Sequence, residues 1–425
     1  MTILVFAGSL LGTMAIGMPI AFALLLAGVA LMHYLDIFDP QIIAQNIING
    51  ADSFPLMAVP FFMLAGELMN TGGLSKRIVN VALTIVGHVK GGLGYVAILA
   101  ACVISALSGS AVADAAALSA LLVPMMVRAG HDKPRAAGLI AASSVIGPII
   151  PPSIGFVIFG VIGGVSITKL FLAGLVPGLI IGLALALAWW WEVKKENIVP
   201  PPRQSGRAIL RALIDGVWAL MLPVIIIVGL KFGVFTPTES AVVAAVYSLF
   251  VATCVYRELK VSELFDVFLA AGKTTAIVMF LVAAALVSSW LITVSDIAQD
   301  LVTLLQPLMD NQTLLLLAIM GIVILVGTAM DMTPTILVLT PILMPIVKAA
   351  GIDPVYFGVL FIVNNSIGLI TPPVGTVLNV VSGVTKVSME DLMKAVVPFM
   401  LVQFVVLLLM VLFPGIVMWP ASLLY

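Results

Sequence analysis

Charge is scarce in this chain. Asp, Glu, Lys and Arg together make up 9% of its 425 residues, and the formal net charge is −1. So few cations offer no basic surface for a phosphate backbone, which excludes nucleic acid as a partner. Cysteine is nearly absent: Cys102 and Cys254 both lie in apolar stretches, so neither a disulfide framework nor a CxxC metal site is expected. The histidines His33, His88 and His131 fall near segment ends, where they read as solvated side chains rather than metal ligands. Met1-Thr2-Ile3-Leu4 carries neither a charged leader nor a small-residue cleavage site, so the first segment is expected to be a retained helix.

What the chain has in quantity is apolar length. It is 62% hydrophobic with a mean hydropathy of +1.26, and its apolar runs repeatedly reach the ~20 residues needed to span a bilayer. The predicted fold class is therefore an all-α polytopic membrane protein. Spans are expected near 3–33, 92–107, 111–127, 136–150, 168–191, 212–231, 237–256, 312–329, 334–347, 355–370 and 391–413. Shorter or Gly/Pro-interrupted pieces near 54–69, 153–165, 274–294 and 374–385 suit re-entrant hairpin arms and half-helices.

Two interruptions match each other. Gly147-Pro148-Ile149-Ile150-Pro151-Pro152 and Gly368-Leu369-Ile370-Thr371-Pro372-Pro373 each place Gly four residues before a double proline. Proline ends the helix and leaves carbonyls unpaired, which hydrocarbon tolerates only beside a protein cavity or an ion. Paired breaks in two halves are the pattern of a secondary transporter's binding site.

The surroundings repeat as well. Asp114 stands ten residues before Pro124, and Asp331 ten before Pro341. Pro124 precedes Pro151 by 27 residues and Pro341 precedes Pro372 by 31. A first repeat over 1–191, a cytoplasmic linker at 192–211, a linking transmembrane helix at 212–231 and a second repeat over 232–425 follow from this register. Breaks in the first half carry Lys76, Arg77, Lys90, Arg128, Lys133 and Arg135, whereas the matching second-half breaks carry Asp296, Asp300 and Asp310, then Lys348 with Asp353. Cytoplasmic loops collect Lys and Arg, so the two repeats are predicted to have inverted topology, with the N-terminus cytoplasmic. Apolar stripes at Ile42, Ile43 and Ile47, and at Leu264, Phe265, Phe268 and Leu269, read either as interfacial arm helices or as plain connectors.

Asp114 and Asp331 are the only charged residues in the core segments 91–127, 136–168, 312–347 and 355–385. An intramembrane carboxylate costs a few kcal/mol unless it is paired or wet, so each is a binding candidate; a helix-capping role competes. Uncharged oxygens surround both. Two Na⁺ sites are expected, one from Ser105, Ser108, Gly147 and Ile150, the other from Gly327, Thr328, Gly368 and Thr371. An anionic substrate, finding no buried cation here, would meet half-helix N-termini together with Ser110, Ser153, Thr333, Asn365 and Thr376. Helix packing and interhelical hydrogen bonding are the competing roles for the small and polar residues. Thr236-Pro237-Thr238-Glu239 reads as a capping box, and Trp189-Trp190-Trp191 as an interfacial belt.

With Ser108-Gly109-Ser110-Ala111-Val112-Ala113-Asp114, both Pro-Pro breaks and Phe61-Phe62-Met63-Leu64-Ala65-Gly66-Glu67-Leu68-Met69-Asn70 assembled, the whole chain resembles the large membrane subunit of tripartite ATP-independent periplasmic (TRAP) transporters. Within that family it is most similar to the 2,3-diketo-L-gulonate branch. The resemblance implies an elevator-type core of the ion transporter superfamily kind and Na⁺-driven uptake of a carboxylate or sugar acid across the bacterial inner membrane. It also implies a small four-helix membrane subunit, expected as a separate chain, and a periplasmic substrate-binding protein. A stand-alone dicarboxylate or ion symporter would share the repeat and the broken helices. An intramembrane aspartyl protease would need Gly-x-Gly-Asp, but Ala111-Val112-Ala113 precedes Asp114 and Thr328-Ala329-Met330 precedes Asp331, so no enzyme is expected.

Overall fold

The computed structural model describes residues 1–196, 198–295 and 297–424, apart from the side chains of 105–107, 298, 300, 301 and 304. Among the described residues all regular structure is helical, and nine helices are long and apolar enough to cross a membrane. The first repeat opens with α1 (Thr2–Ala15), α2 (Ile20–Tyr34), α3 (Pro40–Ala51), α4 (Ala58–Thr71) and α5 (Leu74–Val86). Its core follows as α6 (Gly92–Ser108), α7 (Ala111–Arg128), α8 (Lys133–Ser144), α9 (Ile154–Gly163) and α10 (Ile167–Val193). Then come α11 (Gly206–Lys231), α12 (Pro237–Phe250), α13 (Leu264–Val294) and α14 (Ile297–Met309). The second core comprises α15 (Gln312–Ala329), α16 (Met332–Ala349), α17 (Pro354–Gly368), α18 (Thr376–Thr385) and α19 (Met389–Leu412), with α20 (Gly415–Leu424) after it.

The repeats interlock by exchanging partners. α7 of the first packs along α18 of the second, while α16 of the second packs along α9 of the first. α8 and α19 are joined in the same crossed way. That approach needs a small residue: a Cβ built on Gly138 would lie 2.9 Å from the Ala395 carbonyl carbon. Asp132 and Asp353 cap α8 and α17 at matched positions, each accepting from backbone N–H groups of the first turn.

Several expected spans take another form. Residues 3–33 are two helices, because Gly17 adopts φ +85° and Pro19 cannot donate to a continuing helix; α1 folds back along α2. At about 1.5 Å per residue neither covers the ~30 Å hydrocarbon core. The pieces expected at 264–269 and 274–294 form one helix of 31 residues, α13. No proline interrupts it, whereas the first repeat breaks at the matching place through Asp52, Ser53 and Pro55.

The segments expected as crossings at 92–107 and 111–127, and at 312–329 and 334–347, form the helix pairs α6–α7 and α15–α16, and α7, α15 and α16 are among the nine helices long enough to cross. Their tips meet the broken helices. α8 runs only 12 residues before its break, or ~18 Å from its start.

Three polar expectations also change. His131 is buried at 5% exposure, with Nδ1 2.7 Å from Glu196 Oε2. Arg135 donates to Glu196 Oε1 at 2.6 Å, and Glu192 joins the cluster through Arg135 and Lys195. Glu192 and Glu196 are thereby withdrawn from solvent within the range expected to be an aqueous linker. Trp189 leaves the expected belt: fully buried, it donates from Nε1 to the Gly91 carbonyl at 2.8 Å, while Trp190 and Trp191 stay exposed. The capping box at Thr236 forms as expected.

Candidate functional site

The first tip is built by its shortest residues. Gly109 turns the chain at φ +60°, and a Cβ there would sit 3.1 Å from both the Pro152 carbonyl oxygen and the Ile154 nitrogen. Only glycine fits so close to the break. Ser108 donates from Oγ to Asp114 Oδ1 at 2.5 Å and accepts from the Ser110 N–H at 3.2 Å. Ser110 caps α7 by accepting from the Ala113 N–H, and Asp114, 1% exposed, lies in the first turn. Asp114 is therefore held inside the tip rather than presented to the cavity.

The first break lies behind that tip. Ser153 is fully buried, donating to the Pro148 carbonyl at 2.5 Å and accepting from the Phe156 N–H at 3.3 Å as it caps α9. Gly147 and Ile150 are buried in the same loop, and the Ile150 side chain packs against Gly178 of α10. No hydrogen bond among the described residues links Ser108 to Gly147 or Ile150. The side chain of Ser105 lies outside the described residues.

The second tip and break are in direct contact. A Cβ built on Gly368 would lie 3.0 Å from the Gly327 Cα, and one on Gly327 would lie 3.0 Å from Asn365 Oδ1. The Thr328 carbonyl accepts from the Gly375 N–H at 3.3 Å, stitching α15 to the break. Thr328 and Thr371 donate their hydroxyl protons backward, to Leu325 and Ile367, which leaves oxygen lone pairs available. Asn365 is fully buried: its Nδ2 donates to the Met332 carbonyl at 3.1 Å, and its Oδ1 has no hydrogen-bond partner among the described residues. The bond between the two prolines is cis in both breaks.

A cavity of about 220 Å³ joins the two tips, lined by Ser110, Ile154, Asp331, Thr333, Met63 and Thr274 among others. The N-terminal turns of α7, α9 and α16 converge on it. Free N–H groups and the positive dipole end make such turns receptive to a carboxylate. The Asp331 carboxylate takes a backbone hydrogen bond from Met332 at the start of its own helix, and its Oδ1 accepts from Thr376 Oγ1 of α18 at 3.5 Å. Thus Ser110, Asp331 and Thr333 share the cavity, Thr376 touches it through Asp331, and Ser153, Asn365 and Asp114 stand behind it.

Sequence reasoning missed the contribution of the arms. Met63 of α4 and Thr274 of α13 wall the cavity opposite the tips, and Thr275 Oγ1 lies 3.7 Å from Met63 Sδ. Met63 stands in the Phe61–Asn70 stretch that carries the resemblance, whereas nothing in the sequence marked Thr274.

Two matched helix-pair tips and two broken helices closing on a polar cavity within an apolar helical body define a membrane transporter permease. The chain belongs to the tripartite ATP-independent periplasmic transporter DctM component family, which it matches over residues 7–416. It is 56% identical over 420 residues to the 2,3-diketo-L-gulonate TRAP transporter large permease protein YiaN of Escherichia coli K12, covering 99% of each chain. It is 39% identical over 404 residues to the sialic acid TRAP transporter large permease protein SiaM of Vibrio cholerae, with 95% of each covered. Its fold is similar to that of the Alcanivorax borkumensis YdaH transporter, with a TM-score of 0.67 at 16% identity over 92% of this chain and 90% of that one. The protein is accordingly an integral inner-membrane permease and not an enzyme.

Proposed function

We propose that this permease takes up a small organic acid, a carboxylate or sugar acid of the 2,3-diketo-L-gulonate kind, driven by Na⁺. The observation that carries the Na⁺ assignment is the buried Asn365 Oδ1 beside Gly327 and Gly368, which has no partner among the described residues. A buried amide oxygen left unpaired costs about 1–3 kcal/mol, which a cation ligated there would recover. Gly327, Thr328, Gly368 and Thr371 would hold that ion with carbonyl and hydroxyl oxygens, and Asn365, first read as a substrate ligand, joins them. Ser108 and the first break form the matched site. The bound ion would draw tip and break together, fixing the cavity wall from behind.

The cargo follows from the cavity's chemistry. Helix N-termini at Ser110 and Thr333 suit a carboxylate, and the Asp331 carboxylate suits the hydroxyls of a polyol chain, which donate where a second anion would repel. The relatives named above, for diketogulonate and sialic acid, carry hydroxylated acids of that type. The loops 87–91, 129–133 and 194–196 meet at one end, and their lysines support a cytoplasmic placement for it. The crossed core moves against the outer helices α2, α3, α12 and α13 in an elevator, with a small four-helix subunit beside that frame and a periplasmic binding protein delivering cargo. The experiment is uptake of a panel of labelled acids (2,3-diketo-L-gulonate, sialic acid and C4-dicarboxylates) by the reconstituted transporter. Saturable uptake of one hydroxylated acid supports the reading, and uptake of none of them contradicts it.

A further inference from the structure

The central cavity does not end at the tips. It shares Met63, Ser110, Ile154 and Thr274 with a neck of about 80 Å³, also lined by Glu67 and Asn70. The neck shares Glu67, Asn70 and Ala113 with a wider vestibule of about 520 Å³, which reaches Ser75 and Lys76. Three connected spaces thus form one trough between α4 and α7, running from the candidate binding cavity to Lys76 at the start of α5, in the stretch whose Lys76, Arg77 and Lys90 support a cytoplasmic side.

Its walls divide by chemistry. The α7 side is apolar, with Leu118 and Leu121 beside Ala113, Ala116, Ala117 and Ala120, whose single methyl groups keep part of the wall low. The opposite side, from the end of α4 and the start of α5, is polar: Asn70 accepts from Ser75 Oγ at 2.9 Å, and Lys76, exposed, stands at the mouth. Glu67 is the one charged side chain lining both neck and vestibule. A passage works when its stations hold cargo weakly enough to release it. A carboxylate at the neck opposes lodging of an anion, and an ammonium at the mouth draws the anion onward.

We propose that this trough is the passage by which the organic acid leaves for the cytoplasm, with Lys76 as its electrostatic mouth and Glu67 as the residue that keeps the neck from trapping it. The inference rests on the transport reading for its cargo but not for its geometry. The test places a cysteine at Ala117 or, independently, at Ala120, in a protein whose Cys102 and Cys254 are replaced. An anionic thiosulfonate reagent is applied from either side of oriented vesicles, with and without 2,3-diketo-L-gulonate. The passage predicts modification from the basic side only, slowed by the acid, and loss of most uptake afterwards. Equal modification from both sides, none from the basic side, or rates indifferent to the acid would overturn it. Labelling is read without transport, so failure of Na⁺-driven uptake would count against the transport reading and leave this measurement intact. Lys76→Gln should lower turnover about three- to tenfold at low ionic strength and little at high, with Lys76→Arg restoring it. A turnover unchanged at low ionic strength would remove Lys76 from the passage.

Discussion

Gly327 and Gly368 press backbone against backbone: a Cβ added to Gly368 would fall 3.0 Å from both the Cα and the carbonyl carbon of Gly327. The helix-pair tip and the broken helix of the second repeat therefore meet without any side chain between them. The two backbones and the unpartnered Asn365 amide oxygen come within one small volume because both residues are glycine.

Gly368→Ala should consequently cost about 1–3 kcal/mol by overpacking, since the neighbour is backbone and cannot turn away. Uptake should fall about tenfold or more while the protein still elutes as a folded species in detergent. Size-exclusion chromatography with uptake on the same preparation checks this. Unimpaired uptake would show that the contact is not part of the site.

Removing one hydroxyl oxygen should act on the ion rather than the cargo. Thr371→Val or Ser108→Ala is expected to raise the Na⁺ concentration for half-maximal uptake about three- to tenfold, the worth of one modest ligand. Capture of the acid by the isolated binding protein should not change. A Na⁺ titration of uptake measures the first, and calorimetry on the binding protein the second.

How much of this was legible in the sequence depends on which force set each feature. Pro151-Pro152 and Pro372-Pro373 end helices by local sterics, so both breaks were readable from the letters alone. The seating of the tips was not: nothing in the letters of 105–127 says that Gly109 lies against Pro152. Asn365 was found as a polar residue in an apolar helix. That it faces Gly327 rather than the cavity is set by packing between α15 and α17, which no periodicity encodes. The burial of His131, Glu196 and Trp189 has the same origin, since each is hidden by a partner more than fifty residues away.

The Glu196 cluster gives a pH prediction. Burial pushes its carboxyl up, but hydrogen bonds from His131, Arg135 and the Asp132 N–H outweigh that and hold its pKa below the usual 4.5. A lowered folded-state pKa contributes stability that is present above 4.5 and is lost as pH falls below it through the folded value. The melting temperature in detergent should fall over that acid range in the parent protein. Glu196→Gln should lose on the order of 2 kcal/mol at neutral pH and flatten the acid dependence. An unaltered acid limb in the variant would mean that other carboxylates control it.

Inverted topology has a direct chemical readout. Cysteines at Asp132 and Asp353, the matched caps of α8 and α17, should react with an impermeant thiol reagent from opposite sides of the membrane, in a background lacking Cys102 and Cys254. Labelling of both from one side would contradict the inverted repeat.

The central claim is that Na⁺ drives uptake only when this chain works with its partners. The measurement is accumulation of labelled organic acid in liposomes under an inward Na⁺ gradient, with three preparations: this chain alone, this chain with the small membrane subunit, and both with the binding protein added outside. Accumulation confined to the complete set, and abolished when K⁺ replaces Na⁺, is the predicted result. Robust Na⁺-driven accumulation by this chain alone, or accumulation by the complete set without a Na⁺ gradient, would contradict the account.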